Sequence, residues 1–372
     1  MKTYGYGRQN ITQEDIDAVI EVLKSPYLTC GPNVKAFEQT ICDYTGAKYC
    51  VAVNSATSGL HIAMMAAGVQ DGDEVITSPM TFLASANCAR FCGAEVKFAD
   101  VEKETANIDP EEIKKHITSK TKAIIPVHFA GQSCDMERIK EILKQVQNDT
   151  NRKIYIVEDA AHAIGSNYKD TKVGSCEYSD MTVFSFHPVK TITTAEGGAV
   201  VTNDEELYKK LCAFRAHGMH KDGDMVNDWR YEMRELGYNY RMTDVQAALG
   251  ISQMKRLDAF KERRREIVDF YNKNLNLPHL TEKDFSNACF HLYPILVENR
   301  EKFYFDAKKA GLSLQVHYIP VHTQPYYQEQ GYKWGDFKNA EEYYKHCISL
   351  PLYPDLTDED LEEIVRRIKS LI

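Results

Sequence analysis

Between residues 35 and 215, short apolar runs alternate with segments of helical periodicity. Helices are predicted at 33–44, closed by Gly46, at 58–67, stopped by Gly68, and at 82–91. A further helix at 110–117 has Asp109 as its cap and Pro110 at its first position. Strands are predicted at 49–53, 74–77, 95–99, 123–127, 154–157, 182–186 and 199–202. These runs are continuously apolar, as in strands covered on both faces. The alternation predicts an α/β fold with a mostly parallel sheet between helix layers.

After Thr243 the pattern changes. One long helical stretch is predicted at 244–272, with the charge run 261–266 as its solvated face. A strand at 292–297, a helix at 302–310 and a strand at 314–318 follow. The last helix, 357–370, opens with the capping box Thr357-Asp-Glu-Asp360, in which Asp stands in for Glu. We read 1–250 as a large domain with an N-terminal segment and 251–372 as a smaller α+β domain. A first helix at 13–24 can pack against either.

The 372 residues are 43% apolar and 27% charged, which excludes a disordered or fibrous chain. A net charge of −9 with interspersed signs argues against nucleic acid or an anionic membrane as partner. There is no apolar leader in Met1 to Tyr6 and no membrane-length apolar run, so a cytoplasmic location is expected. Ten cysteines without a C-x-x-C pair read as free thiols. The pairs His217/His220 and His317/His322 have no second ligand pair nearby, so no metal site is expected.

Candidate chemistry sits at strand ends. Ser185-Phe-His-Pro-Val-Lys190 closes one apolar run, and Glu158-Asp159-Ala-Ala-His162 closes another, thirty-one residues upstream of the lysine. A buried Asp/Lys pair is what pyridoxal phosphate (PLP) requires. The lysine forms an imine with the cofactor aldehyde, and the aspartate keeps the pyridine nitrogen protonated. Such a lysine must be shifted toward its neutral form by roughly 3–4 kcal/mol, which burial supplies. His162 is placed to contact the ring or its 3-oxygen. Asn54-Ser-Ala-Thr-Ser58, between a strand and a helix, fits a phosphate cradle with Ala56, Thr57 and Ser185 as donors. Phe82, at a predicted helix start, can stack on a planar ring, although alone it reads as core.

Together with Thr81-Phe82 and Gly237-Tyr-Asn-Tyr-Arg-Met242, these motifs resemble the DegT/StrS-type PLP-dependent sugar aminotransferases, from about Tyr6 to the final helix. The resemblance implies the aspartate aminotransferase-like fold (PLP fold type I) and a homodimer with shared active sites. In it, Asn239 reaches the cofactor phosphate of the other subunit. Ile192-Thr-Thr-Ala-Glu-Gly-Gly198, Tyr293-Pro-Ile-Leu296 and Gln315-Val-His-Tyr318 are similar to the PseC-type transaminases of pseudaminic acid biosynthesis. By matching position, Tyr6, Pro26, Tyr27, Leu28, Thr29, Ala56, Ser185, Asn239, Gln315, Val316, His317 and Tyr318 are implied to contact a UDP-linked sugar. L-Glutamate is the implied amino donor.

Thr191 stands where the subfamily usually has Pro, Ala195 where the wider family often has Gly, and Ile319 where a lysine is common. The last change removes one possible contact to a diphosphate. Aminotransferases for bacillosamine-, legionaminate- or perosamine-type sugars stay open, as does a non-catalytic PLP-binding regulator. Lys190 argues against the dehydratase branch, where a histidine replaces it.

Overall fold

The computed structural model describes residues 2–221 and 229–372. Seven strands form the central sheet: β1 (Tyr49–Val53), β2 (Glu74–Thr77), β3 (Glu95–Phe98), β4 (Thr121–Ile125), β5 (Tyr155–Asp159), β6 (Met181–Ser185) and β7 (Gly198–Thr202). Their order is β1-β7-β6-β5-β4-β2-β3. All neighbours are parallel except β7, which runs antiparallel to both β1 and β6. The chain is therefore α/β with a mostly parallel sheet.

Two-sided burial explains the apolar runs. Val51, Val53, Val157, Val183 and Val200 pack into one core with Leu60, Ile62 and Met64 of helix Ala56–Ala66. Ala52, Phe184, Ala199 and Val201 face the other way, against Phe37 and Ile41 of helix Pro32–Thr45. Farther along that face, Ile76, Ile124 and Ile156 meet Ile139 and Leu143 of helix Met136–Thr150.

The antiparallel β7 brings its first residue to the edge where the parallel strands end. Gly198 lies opposite both Val53 and Ser185. That edge gathers the ends of β1, β5 and β6 at one level, where ligands of open α/β sheets bind.

Several boundaries differ from expectation. The stretch at 244–272 is two helices, Asp244–Met254 and Leu257–Asn274. The first packs against helix Gln13–Lys24, and Arg256, at the break, pairs with the buried Asp15 at 2.5 Å. The charge run 261–266 is not uniformly solvated, because Arg264 is 1% exposed. The expected strand at 314–318 is instead the two-residue Leu312–Ser313, paired with Tyr4–Gly5. Residues 315–318 form a loop, whose backbone meets strand Cys347–Leu350 at a bridge from Gln315 to Ser349.

A strand not anticipated from the sequence, Cys347–Leu350, pairs antiparallel with Tyr293–Leu296. Both belong to a second core formed with Tyr4, Phe303 and Ile364. The final helix, Asp358–Lys369, carries the expected capping box: Asp360 N donates to Thr357 at 3.2 Å, and Asp360 accepts from Thr357 N at 3.4 Å. Among the described residues no helix is long and apolar enough to cross a membrane.

Candidate active site

A cavity of about 560 Å³ opens at the C-terminal edge of the parallel strands. Tyr6, Ala56, Thr57, Phe82, Asp159, His162, Ser185, Lys190, Gln315, Val316, His317 and Tyr318 all line it. A second cavity, about 510 Å³, lies against helix Pro32–Thr45 and contains none of the candidate residues.

Strand geometry sorts the two adjacent acids of β5, because successive side chains point to opposite faces. Asp159 turns into the cavity, where its carboxylate accepts from Ser85 Oγ at 2.6 Å and from Ala161 N at 3.0 Å. Glu158 turns away and is bound by His128 at 2.5 Å and Thr182 at 2.9 Å, and by Ser179. Burial works to raise its carboxyl pKa, but these hydrogen bonds carry it below the usual carboxylate value. It is a structural acid.

Lys190 follows the end of β6 by five residues. Burial lowers its amine from 10.5 to about 8, while the Asp159 carboxylate acts in the opposite direction. Desolvation therefore outweighs the ion-pair attraction, and an appreciable neutral fraction exists near neutrality.

His162 is buried, and its Nδ1 accepts from Ala130 N at 3.3 Å. Burial, helped by the charge of Lys190 and by His317, holds its pKa well below the ordinary value. The ring is thus neutral, and the hydrogen-bond network assigns its proton to Nε2, which donates to Tyr318 Oη at 3.0 Å. His317 is lowered to about 3 by the same two causes, burial first and then Lys190. It holds Ser349 Oγ at 2.9 Å and packs 4.9 Å from the Tyr6 ring.

The phosphate cradle has a stereochemical basis. Ser55 caps helix Ala56–Ala66 by accepting from Ser58 N. Ala56 N and Thr57 N then have no acceptor among the described residues, and neither does the Ser185 hydroxyl. Gly198 closes the back of this corner: a Cβ there would lie 2.6 Å from Ala56 N and 2.8 Å from Ala56 Cα. Free donors at a helix N-terminus beside a lysine and a buried aspartate fit pyridoxal phosphate. Phe82, expected to be core when taken alone, is 59% exposed, with its ring 6.2 Å from Tyr318.

Other predicted contacts fall elsewhere. Pro26, Tyr27, Leu28, Thr29 and Asn239 are exposed and do not line this chain's cavity. Ala195 adopts φ 66°, a left-handed conformation that favours glycine and accounts physically for the glycine common at this position. Thr191 is buried, and Ile319 is 49% exposed.

The cavity also contains Thr81, His187 and Glu196, which stand in the quoted motifs without an assigned role, and His291, which sequence reasoning passed over, with Ser85 directly behind Asp159. Ser85 lies one helical turn after Thr81 in the predicted helix that starts at Phe82, and that place was a usable signal. His291 lies in an irregular stretch before Tyr293–Leu296 and carried none.

This arrangement defines a PLP-binding enzyme of the fold-type-I class. The chain belongs to the DegT/DnrJ/EryC1/StrS aminotransferase family, whose model matches residues 9–369. It is 39% identical to the UDP-4-amino-4,6-dideoxy-N-acetyl-beta-L-altrosamine transaminase of Campylobacter jejuni, over 99% of this chain and 97% of that protein. Among solved structures it is similar to Spr1654 of Streptococcus pneumoniae in its PLP-form (TM-score 0.92, 32% identity, 99% and 98% of the two chains). It is similar also to Helicobacter pylori PseC, an aminotransferase involved in pseudaminic acid biosynthesis (TM-score 0.91, 34% identity, 100% and 99%). The protein is a PLP-dependent sugar aminotransferase.

Proposed function

We propose that the chain transfers the amino group of L-glutamate to C4 of a UDP-4-keto-6-deoxy-N-acetylhexosamine. The product is UDP-4-amino-4,6-dideoxy-N-acetyl-β-L-altrosamine. The chemistry rests on one observation: Lys190 and Asp159 line the same cavity, beside the free N–H groups of Ala56 and Thr57. The sugar rests on the relatives named above and on the PseC-like motifs around Lys190 and Gln315–Tyr318.

Bound PLP supplies a carbonyl that carries the amino group and a ring that absorbs electrons. Ala56 N, Thr57 N and the Ser185 hydroxyl would hold the phosphate, and Phe82 would pack against the ring. Asp159, oriented by Ser85, would accept a hydrogen bond from the ring nitrogen and so keep that nitrogen protonated. His162 presents a neutral imidazole to the ring or its 3-oxygen. Neutral Lys190 Nζ takes a proton from the α-carbon of the donor and, in the second half, returns one to C4 of the sugar. Tyr6, Gln315, Val316, His317 and Tyr318 form the wall against which the sugar lies. In the proposed homodimer, Asn239 and the exposed segment 26–29 complete the neighbouring cavity.

The test is turnover with a panel of UDP-, GDP- and dTDP-linked 4-keto sugars, the configuration of the product amine being assigned by NMR. Preference for a GDP- or dTDP-linked sugar, or an amine of the other configuration at C4, would overturn the substrate assignment.

A further inference from the structure

An amino acid donor brings at least one carboxylate into a cavity that offers little to neutralise it. Among the described residues lining it, Lys190 is the single Lys or Arg, and Asp159 and Glu196 are acids. Lys190 is engaged with the transferred proton, and the donors of Ala56, Thr57 and Ser185 belong to the phosphate. His162 is satisfied on both ring nitrogens, and His317 is held on one by Ser349.

His291 differs. It lines the cavity at 4% exposure, with its ring centroid 4.5 Å from that of His162. Its Nδ1 is shielded from solvent with no partner, and its Nε2 has none among the described residues. An N–H at the orphaned Nδ1 would be costly, so the ring proton belongs on Nε2, which is free to meet a ligand. The ring is neutral, held well below its ordinary pKa by burial first and then by the charges of Lys190 and its neighbours. The segment cannot easily turn away: His291 N donates to Ala130 O at 2.9 Å.

A second observation points to an anion. Arg264, 1% exposed and without a carboxylate partner among the described residues, donates to the carbonyls of Phe290 at 3.2 Å, His291 at 3.4 Å and Leu352 at 3.0 Å. A buried, uncompensated positive charge behind His291 favours negative charge in front of it.

We infer that His291 is a substrate-binding residue whose Nε2–H donates to a carboxylate oxygen of the amino donor beside Lys190. This rests on the donor reading proposed above. The test uses PLP-loaded protein, L-glutamate to show turnover of the first half, and 2-methylglutamate, which lacks the α-proton and so binds without being transaminated. Binding of 2-methylglutamate and of the UDP-linked sugar is measured by calorimetry for wild type, His291→Phe and His291→Gln.

His291→Phe keeps the ring against His162 and loses the donor. It should weaken 2-methylglutamate roughly 10- to 100-fold, as expected for one hydrogen bond to a charged group. Sugar affinity should stay within about threefold, and His291→Gln, which retains an N–H, should recover most of the loss. Unchanged visible absorbance of the lysine-bound cofactor shows that each variant is folded. Equal weakening of both ligands, or of neither, overturns the inference alone. A wild-type protein that ignores L-glutamate overturns the donor reading and this inference together.

Discussion

The amine of Lys190 should titrate near pH 8 in the cofactor-free protein. Burial depresses it from 10.5 to about 8, a bias of about 3 kcal/mol toward the neutral form. At pH 7.5 about one quarter of a group with that pKa is neutral, against about one thousandth of an ordinary lysine, a gain of roughly 200-fold. Carbamylation by cyanate, followed peptide by peptide with mass spectrometry, reads this directly because only neutral amines react. The pH profile at Lys190 should level off above about 8. Lys115, raised by its exposed ion pair with Glu112, supplies an internal contrast whose reactivity is still climbing there. The carboxylate of Asp159 favours the protonated amine, so Asp159→Asn should move the Lys190 inflection downward. The stability counterpart has a definite sign. The penalty for burying the charge is present in full below about pH 8 and disappears as pH rises toward 10.5. Lys190→Met should therefore be more stable than wild type at pH 7, with the gap closing by about 3 kcal/mol at pH 10.5 in urea unfolding. A Lys190 profile that climbs in step with Lys115, or an Asp159→Asn inflection that moves upward, would refute desolvation as the dominant cause.

Gly198→Ala puts a methyl group 2.6 Å from Ala56 N, so the cradle must shift, and cofactor retention on dialysis should drop at least about tenfold. Wild-type retention would mean the phosphate sits elsewhere. Ser85→Ala removes the 2.6 Å bond to Asp159 and should lower kcat about tenfold while the cofactor stays bound; a change under about twofold would leave Ser85 no orienting role. In co-expressed Lys190→Ala and Asn239→Ala chains, random pairing into dimers with shared sites should restore about one quarter of wild-type activity. No recovery would exclude sharing through Asn239.

What the sequence made legible follows from where local rules dominate. Apart from the edge strand β3, where Glu95 is exposed and Lys97 half-buried, the strands β1 to β7 are short, largely apolar and buried on both faces, so their pattern had one reading. Asp159, Lys190 and the 54–58 segment were legible for a related reason: each abuts a strand end, and the fold class puts those ends in one place. Thr357 and Asp360 were legible because a capping box is a local contract. Long-range packing decided the rest. Arg264 reads as part of a solvated charge run, yet it turns inward to hold carbonyls from two distant segments. Cys347–Leu350 has too few residues to show a period and is a strand because Tyr293–Leu296 lies beside it. Residues 315–318 carry an apolar-polar alternation but serve as a wall of the cavity, where side-chain placement outranks ladder hydrogen bonds.

Charge balance gives the exposed residues a rationale. A nucleotide sugar brings a diphosphate to a cavity that already receives a phosphate, while Lys190 stands there against Asp159 and Glu196. Within one chain the compensation comes from dipoles, the free N–H groups of Ala56 and Thr57 and the neutral imidazoles, and from the one buried charge of Arg264 behind His291. Ile319, beside Tyr318 and 49% exposed, contributes no cation where the family commonly has one. Tyr27 and Leu28 meanwhile stand 55% and 49% exposed on this chain, an apolar surface next to Thr29, which bridges to Thr243. A monomer would leave those side chains in water and the diphosphate undercompensated. The proposed dimer answers the first by covering the segment 26–29 of each subunit against the other's cavity, and eases the second by bringing the Asn239 amide there as a further hydrogen-bond donor. On that argument the choice among sugar nucleotides resides at the subunit boundary, and the choice of reaction resides with Lys190.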